Sequence, residues 1–371
     1  MKTVYGECRA CCGCGACAHL CPAGAIRMEP DAEGFLYPVV DQSLCVDCGL
    51  CRERCPLMAA DHYKQPAAPR FYAAKHRQGE VLRRSTSGGL FTALSDGVLA
   101  QGGAVYGAVF DEALRVVHRR ADTAAGRDPM RFSKYVQSDL GGCFAQVEQD
   151  RRQGTPVLFT GTPCQNAGLR AALGALAQAP ELVCCDVICH SIPSPRVWEA
   201  YKALLEQEQG AGLTMVSFRN KESGWTRSGS NKLFRYQTAN MAAPAQDDRF
   251  YRLFFESGAI VRPACGSCPF TDCRRPSDIT IADYWGIEKY SPEKYDPLGV
   301  SLVLVNSPKG AALLERCRPA LWLEERPPRE ALAEQGRLHQ PVQLPAHRAA
   351  FWRLLEQEGL AAAMKAVLQE E

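Results

Sequence analysis

The sequence predicts an α/β fold, α+β overall, in which a small cysteine-rich unit precedes a mixed sheet flanked by helices and closed by C-terminal helices. Three observations predict it. The first 56 residues carry the same cysteine run twice, and beyond residue 71 short apolar runs alternate with segments of helical period. No apolar run reaches the ~18 residues that would span a bilayer.

At 371 residues the chain has room for two or three compact units, and 46% hydrophobic with 23% charged residues is ordinary globular composition. A net charge of +2 argues against a nucleic-acid partner, because phosphate binding needs a concentrated basic surface. The N-terminus, MKTVYGECRACCGCGACAHLCP, lacks an apolar signal core, so a cytoplasmic location is expected. In a reducing compartment 19 cysteines do not read as disulfides. Their clustering points to metal.

Cys11-x2-Cys14-x2-Cys17-x3-Cys21-Pro22 returns as Cys45-x2-Cys48-x2-Cys51-x3-Cys55-Pro56. This is the spacing of bacterial two-cluster ferredoxins, in which each run's fourth cysteine ligates the other cluster. It assigns Cys11, Cys14, Cys17 and Cys55 to one 4Fe-4S centre and Cys45, Cys48, Cys51 and Cys21 to the second. Gly13, Gly15, Ala16 and Gly49 are small enough to let backbone amides approach the sulfides, and each proline stops a helix from running through its ligand loop. A register starting at Cys8 would put Ala18 in the fourth position, so Cys8 and Cys12 are spare thiols. Zinc knuckles would not require two x3-Cys-Pro endings. Residues 1–60 are therefore read as a two-cluster ferredoxin domain.

MAADHYKQPAAPR then reads as a linker, set at 61–70. Strands are predicted at Gly103–Phe110, Pro156–Gly161, Leu182–Ile188, Ile279–Ala282 and Val300–Asn306. Helices are predicted at Gly89–Gln101, Leu140–Gln153, Gln165–Gln178, Pro195–Glu208, Lys309–Cys317 and Ala349–Gln369. In the first helix Leu90, Phe91, Leu94, Val98 and Leu99 share one face. Residues 71–317 form the main domain. Residues 318–371 are a Pro-rich crossing and a last helix.

Three predicted strands end in unusual chemistry: PVLFTGTPCQ in Thr162 and Cys164, LVCCDVICHS in Cys189 and His190, and DITIADYWG in Asp283 and Tyr284. Ligands of open α/β sheets sit beyond the carboxyl ends of strands, where such residues become neighbours. Cys265-x2-Cys268 precedes the third strand. Cys164, Cys189, Cys265 and Cys268 make four thiolates, enough for a third 4Fe-4S cluster. On spacing alone zinc, with Cys273 as a rival ligand, and plain structural thiols stay open. Ser87, Gly88 and Gly89 open a helix in RRSTSGGLF, an N-cap or a phosphate cradle. Lys134, Gln137 and Ser138 lie in RFSKYVQS, a segment without clear period.

These segments resemble the coenzyme F-420 hydrogenase/dehydrogenase beta-subunit family, which includes deazaflavin-linked hydrogenase and dehydrogenase subunits and ferredoxin-dependent chlorophyll-type reductases. The resemblance rests on SGG at 87–89, KYVQS at 134–138, GTPCQ at 161–165, CH at 189–190, FRNKESGW at 218–225, RPACGSCPF at 262–270 and DITIADYWG at 278–286. It implies an FAD site lined by Ser87, Gly88, Gly89, Lys134, Gln137, Ser138 and Thr162. It also implies a 4Fe-4S cluster on Cys164, Cys189, Cys265 and Cys268 close to the flavin. Ser191 and Ala282 stand where family members often carry glycine.

By that resemblance, electrons from a low-potential donor, ferredoxin, would pass through the clusters to FAD and on as hydride to an organic or deazaflavin substrate. The reverse direction fits the sequence equally. His190, Asp283, Tyr284 and Lys221 are candidate proton donors, with His190 and Asp283 preferred. The rival expectation is an electron-transfer adaptor docked on a larger redox subunit, which an exposed apolar patch on the last helix would favour. Substrate-specifying groups are expected in patternless loops such as Gly229–Asp248.

Overall fold

The computed structural model describes residues 4, 10–219, 221, 224–225, 234–238, 242–245 and 248–368. Cys8, half of Gly229–Asp248, Gln369 and Asn220, Glu222 and Ser223 of the FRNKESGW motif lie outside the described residues; the described part of Gly229–Asp248, expected as a patternless loop, holds two strands, Phe234–Thr238 and Ala242–Ala245.

Among the described residues the strands are β1 (Ile26–Pro30), β2 (Leu36–Val40), β3 (Arg70–His76), β4 (Ala104–Phe110), β5 (Val116–Ala121), β6 (Val157–Gly161), β7 (Leu182–Val187), β8 (Leu213–Ser217), β9 (Phe234–Thr238), β10 (Ala242–Ala245), β11 (Ile279–Asp283), β12 (Ser301–Val305) and β13 (Leu321–Glu325). β1 and β2 form a hairpin in the N-terminal unit, and β8–β10 form a small antiparallel sheet. The remaining eight make one mixed sheet in the order β13-β3-β12-β11-β7-β6-β4-β5. Its centre, β4-β6-β7-β11, is parallel, so the loops after these strands emerge on one edge. The inner strands are largely apolar, as expected where both faces of a sheet are covered. β12, for example, is buried at every position.

The five predicted strands and six predicted helices are present with ends moved by a few residues. Three sheet strands escaped the sequence reading. β3 lies at the end of the supposed linker, and β5 (VVHRRA) alternates too irregularly. β13 sits inside the stretch read as a surface crossing, where it closes the sheet edge against β3. The last helix is two helices, Arg348–Glu358 and Leu360–Leu368, broken at Gly359 with φ 88°. The supposed linker is tied down: Tyr63 donates to the Arg54 carbonyl, and Lys64 pairs with Asp272 at 2.7 Å.

The N-terminal unit lies against the main sheet's helices through a buried arginine. Arg262, fully buried, donates from Nε to the Cys11 carbonyl at 2.7 Å and from Nη2 to the Leu36 carbonyl at 2.8 Å. Its Nη1 donates to Gln137 Oε1 at 2.8 Å, and the Gln137 amide donates to the Cys12 carbonyl at 3.2 Å.

Candidate iron–sulfur and redox site

In the N-terminal unit Gly13, Gly15 and Gly49 have φ of 70°, 74° and 75°, which turns the ligand loops and points backbone amides inward. The Gly13 amide donates to Cys11 Sγ and the Ala25 amide to Cys21 Sγ, both at 3.3 Å. Cys21, Cys45, Cys48 and Cys51 line one cavity together with Val4, Ile26 and Val40. The fourth cysteine of the first run thus joins the second run. Cys11, Cys14 and Cys17 form the other group, and Cys17 also feels the charge of Cys55. Burial first, then the neighbouring thiols, pushes Cys17 up to about 12.

The third group assembles from separate strand ends. β6 delivers Cys164 into the helix Pro163–Leu173, its parallel neighbour β7 delivers Cys189, and the 3-10 turn Pro263–Ser267 presents Cys265 just before Cys268. All four thiols lie within electrostatic reach of one another. Burial, followed by the other three thiols, raises Cys189 well above its ordinary value; Cys265 rises to about 12 and Cys268 to about 11. Four half-buried thiols, hemmed in by protein, that oppose one another's ionisation become stable thiolates when a metal centre supplies the compensating charge.

Two further charges favour that state. Arg262 acts on Cys164 and Cys265, and Arg275, also fully buried, acts on Cys189 and Cys268. The donor set and its charge environment fit a 4Fe-4S cluster. Among the described residues no three His, Cys, Asp or Glu side chains close around one point as a single bound ion would require. Cys273 packs against a different apolar cluster, the one that holds Trp225, Tyr284 and Ile287.

Behind Cys164 runs a buried polar chain. His118 places Nε2 at 2.9 Å from the Thr160 carbonyl, so that nitrogen carries the proton and Nδ1 accepts from the Ser138 hydroxyl at 2.6 Å. Gln165 donates to Ser138 Oγ at 3.0 Å and accepts from the Thr162 amide at 2.9 Å, while Thr162 Oγ1 lies 3.2 Å from Cys164 Sγ. Ser138 and Thr162 therefore meet at the third site, with Gln137 alongside. The Ser87–Gly89 loop lies against β3 and β12: the Gly88 amide donates to Ser301 Oγ, and a Cβ on Gly88 would come within 2.5 Å of the Ala74 carbonyl. The two loops approach each other where the Ser133 amide donates to Thr86 Oγ1 at 3.1 Å. Lys134 is half-buried by area but ringed by protein, and this desolvation lowers it to about 7.

The candidate acids differ in kind. Asp283 is engaged at both oxygens, accepting from Trp225 Nε1 at 2.6 Å and pairing with Arg219 at 3.1 Å. Tyr284 is buried and donates to Glu330. Lys221 donates to the carbonyls of Leu82, Ser87 and Leu298, clamping the Ser87 loop. His190 packs edge-on against Phe254 and Phe255 and lines an open cavity with Arg337, Gln340 and Gln343. The cavity's wall is the π-helix Arg252–Ser257, and Arg337 feels the charge of Cys189.

Residues 154–331 match the family model for the C terminus of the coenzyme F420 hydrogenase/dehydrogenase beta subunit. Residues 10–59 match the 4Fe-4S dicluster domain, so the chain is an iron–sulfur protein related to a redox beta subunit. Cys164, Cys189, Cys265 and Cys268 all fall inside the beta-subunit segment, as does Thr162, whereas Ser87 to Gly89 and Lys134 to Ser138 precede it. No curated protein matches the chain. Among solved structures, a chain of the F420-reducing NiFe hydrogenase complex from Methanosarcina barkeri, studied as a xenon derivative, is 16% identical with a TM-score of 0.47, covering 83% of this chain and 93% of that chain.

Arg262, Arg275, His118, Gln165 and Arg219 were missed by sequence reasoning. Arg262 stands three residues before Cys265 inside a quoted motif, a signal that could have found it. His118 and Arg275 carry no such mark.

Proposed function

We propose that the chain is an iron–sulfur flavoprotein oxidoreductase that moves electrons between a low-potential donor, ferredoxin, and an organic or deazaflavin acceptor, using three 4Fe-4S clusters and FAD. The observation that carries the reading is the meeting of Cys164, Cys189, Cys265 and Cys268 next to a complete two-run ferredoxin unit. Bound cubanes supply one-electron chemistry, and FAD, which holds one electron or two, supplies hydride chemistry.

The chain's own residues support distinct tasks. Cys48 is exposed, and Leu44 and Val46 beside it are 51% and 67% exposed, which presents the second N-terminal site to a docking donor. Ser87, Gly88, Gly89, Lys134, Gln137, Ser138 and Thr162 are the proposed FAD contacts; desolvation lowers the Lys134 amine, and a bound phosphate would stabilise its charged form. The cavity at His190 is the proposed acceptor site. There the imidazole has reach to deliver a proton, and Phe254 and Phe255 offer faces for a planar ring. Asp283, the other proposed acid, already holds Arg219 and Trp225, which favours His190.

The alternative, an adaptor without its own substrate, was expected to show an apolar face on the last helix. Phe351, Leu355, Leu360, Met364 and Leu368 are instead packed into the core. The test is anaerobic purification with released-flavin analysis, followed by mixing with reduced ferredoxin. One FAD per chain, bleached by the ferredoxin, is expected. No flavin after reconstitution with FAD would leave the adaptor.

A further inference from the structure

The helix Pro163–Leu173 starts on a cap that also touches a proposed ligand. Thr162 Oγ1 accepts the Gln165 backbone amide, and Gln165 Oε1 accepts the Thr162 amide at 2.9 Å. Gln165 is held in that orientation, because its Nε2 donates to Ser138 Oγ at 3.0 Å and Ser138 in turn donates to His118. The Thr162 hydroxyl has one proton to place and two acceptors in range, Gln165 Oε1 at 3.1 Å and Cys164 Sγ at 3.2 Å. While Cys164 is a thiol, the proton can go to Oε1 and the sulfur can donate to Oγ1. A metal-bound Cys164 has no proton and carries charge, so the hydroxyl turns to the sulfur. That charge-assisted bond outweighs a second bond to an amide oxygen already served by the Thr162 amide. Cys189 Sγ, by contrast, faces the Ser191 carbonyl at 3.7 Å, which has no proton to offer a thiolate.

We propose that the Thr162 hydroxyl is the side-chain donor to the Cys164 sulfur of the third centre, and that it holds that centre's potential above the value the four thiolates alone would give. A hydrogen bond to a ligand sulfur withdraws charge, stabilises the more negative, reduced state and so raises the potential. Thr162 acts through Cys164 and is a positioning residue, not a ligand. With its proton on sulfur, it meets FAD only as an acceptor or through its methyl group. The inference rests on the three-cluster reading.

The test is an EPR-monitored redox titration of the anaerobic full-length protein, wild type against Thr162→Val and Thr162→Ser. Iron and flavin are measured on each sample, and flavin-stripped wild type is the control for any loss of FAD. In Thr162→Val the third centre moves to more negative potential, its electron partition changing about tenfold, which is 59 mV for a one-electron couple. The two N-terminal centres stay put, iron content is unchanged, and Thr162→Ser, which keeps both cap and donor, titrates as wild type. A residue that only capped its helix would lower the melting temperature of Thr162→Val and leave every potential in place, which would overturn the inference. So would a shift shared by all three centres, a shift matched by flavin-stripped wild type, or loss of four irons from Thr162→Val. Wild-type protein with about eight irons would instead overturn the three-cluster reading, and would show before any variant was made.

Discussion

A Cβ built on Gly168 would lie 2.8 Å from Cys14 Cβ, so the helix that begins beside Cys164 receives the N-terminal ligand run only where it has no side chain. Helix propensity alone favours alanine here by about 1 kcal/mol. The contact should reverse that sign. Gly168→Ala is expected to destabilise the protein by about 1–3 kcal/mol, the usual cost of overpacking, and to lower iron retention at the first N-terminal centre. Denaturant unfolding with iron analysis checks both.

Arg262 holds three acceptors, the Cys11 carbonyl and Gln137 Oε1 in buried contacts and the Leu36 carbonyl in a partly buried one. Arg262→Gln is expected to cost about 3 kcal/mol or more, because buried acceptors lose their donors. Arg262→Lys should rescue little, since a point ammonium cannot serve three acceptors in the guanidinium's plane. Hydrogen exchange should show the N-terminal unit loosening before the main sheet. Uniform loosening would contradict the placement.

His118 sets a pH dependence. Burial lowers it to about 4, from an unfolded value near 6.5. The unfolded chain therefore binds more protons between those values, and stability rises with pH across that window. The contribution is complete above about 6.5 and lost as pH falls toward 4, on the order of 3 kcal/mol over the whole range. Unfolding at pH 5 and pH 7 should differ more in wild type than in His118→Gln. Equal differences would count against the neutral imidazole and the Ser138 chain it orients.

Asp283 and His190 should separate by measurement. Asp283→Asn leaves Arg219 buried without its carboxylate and is expected to cost about 2–4 kcal/mol, with turnover falling in step with stability. His190→Gln keeps a polar side chain at the mouth of an open cavity. It should change stability by about 1 kcal/mol or less and slow acceptor reduction at least tenfold. Parallel melting curves and single-turnover rates decide between them.

The parts of this protein that were legible in sequence are those fixed by local spacing. The two cysteine runs and the central strands each follow from neighbours in the chain. The third group needed the ends of β6 and β7 to meet the turn before β11, a convergence that spacing alone, which left zinc and Cys273 open, could not show. β13 was hidden by flanking prolines that punctuate an edge strand as readily as a loop. Gly88 also answers to packing, since a Cβ there would meet the Ala74 carbonyl and the Ser301 amide, which no sequence pattern showed.

The central claim is that Cys164, Cys189, Cys265 and Cys268 hold a cluster of their own. Iron and sulfide per chain, measured anaerobically on wild type and Cys189→Ser, test it most directly. The account predicts about twelve irons in wild type and about eight in the variant, at four per cubane, with the N-terminal EPR signals retained. About eight irons in both proteins would contradict it.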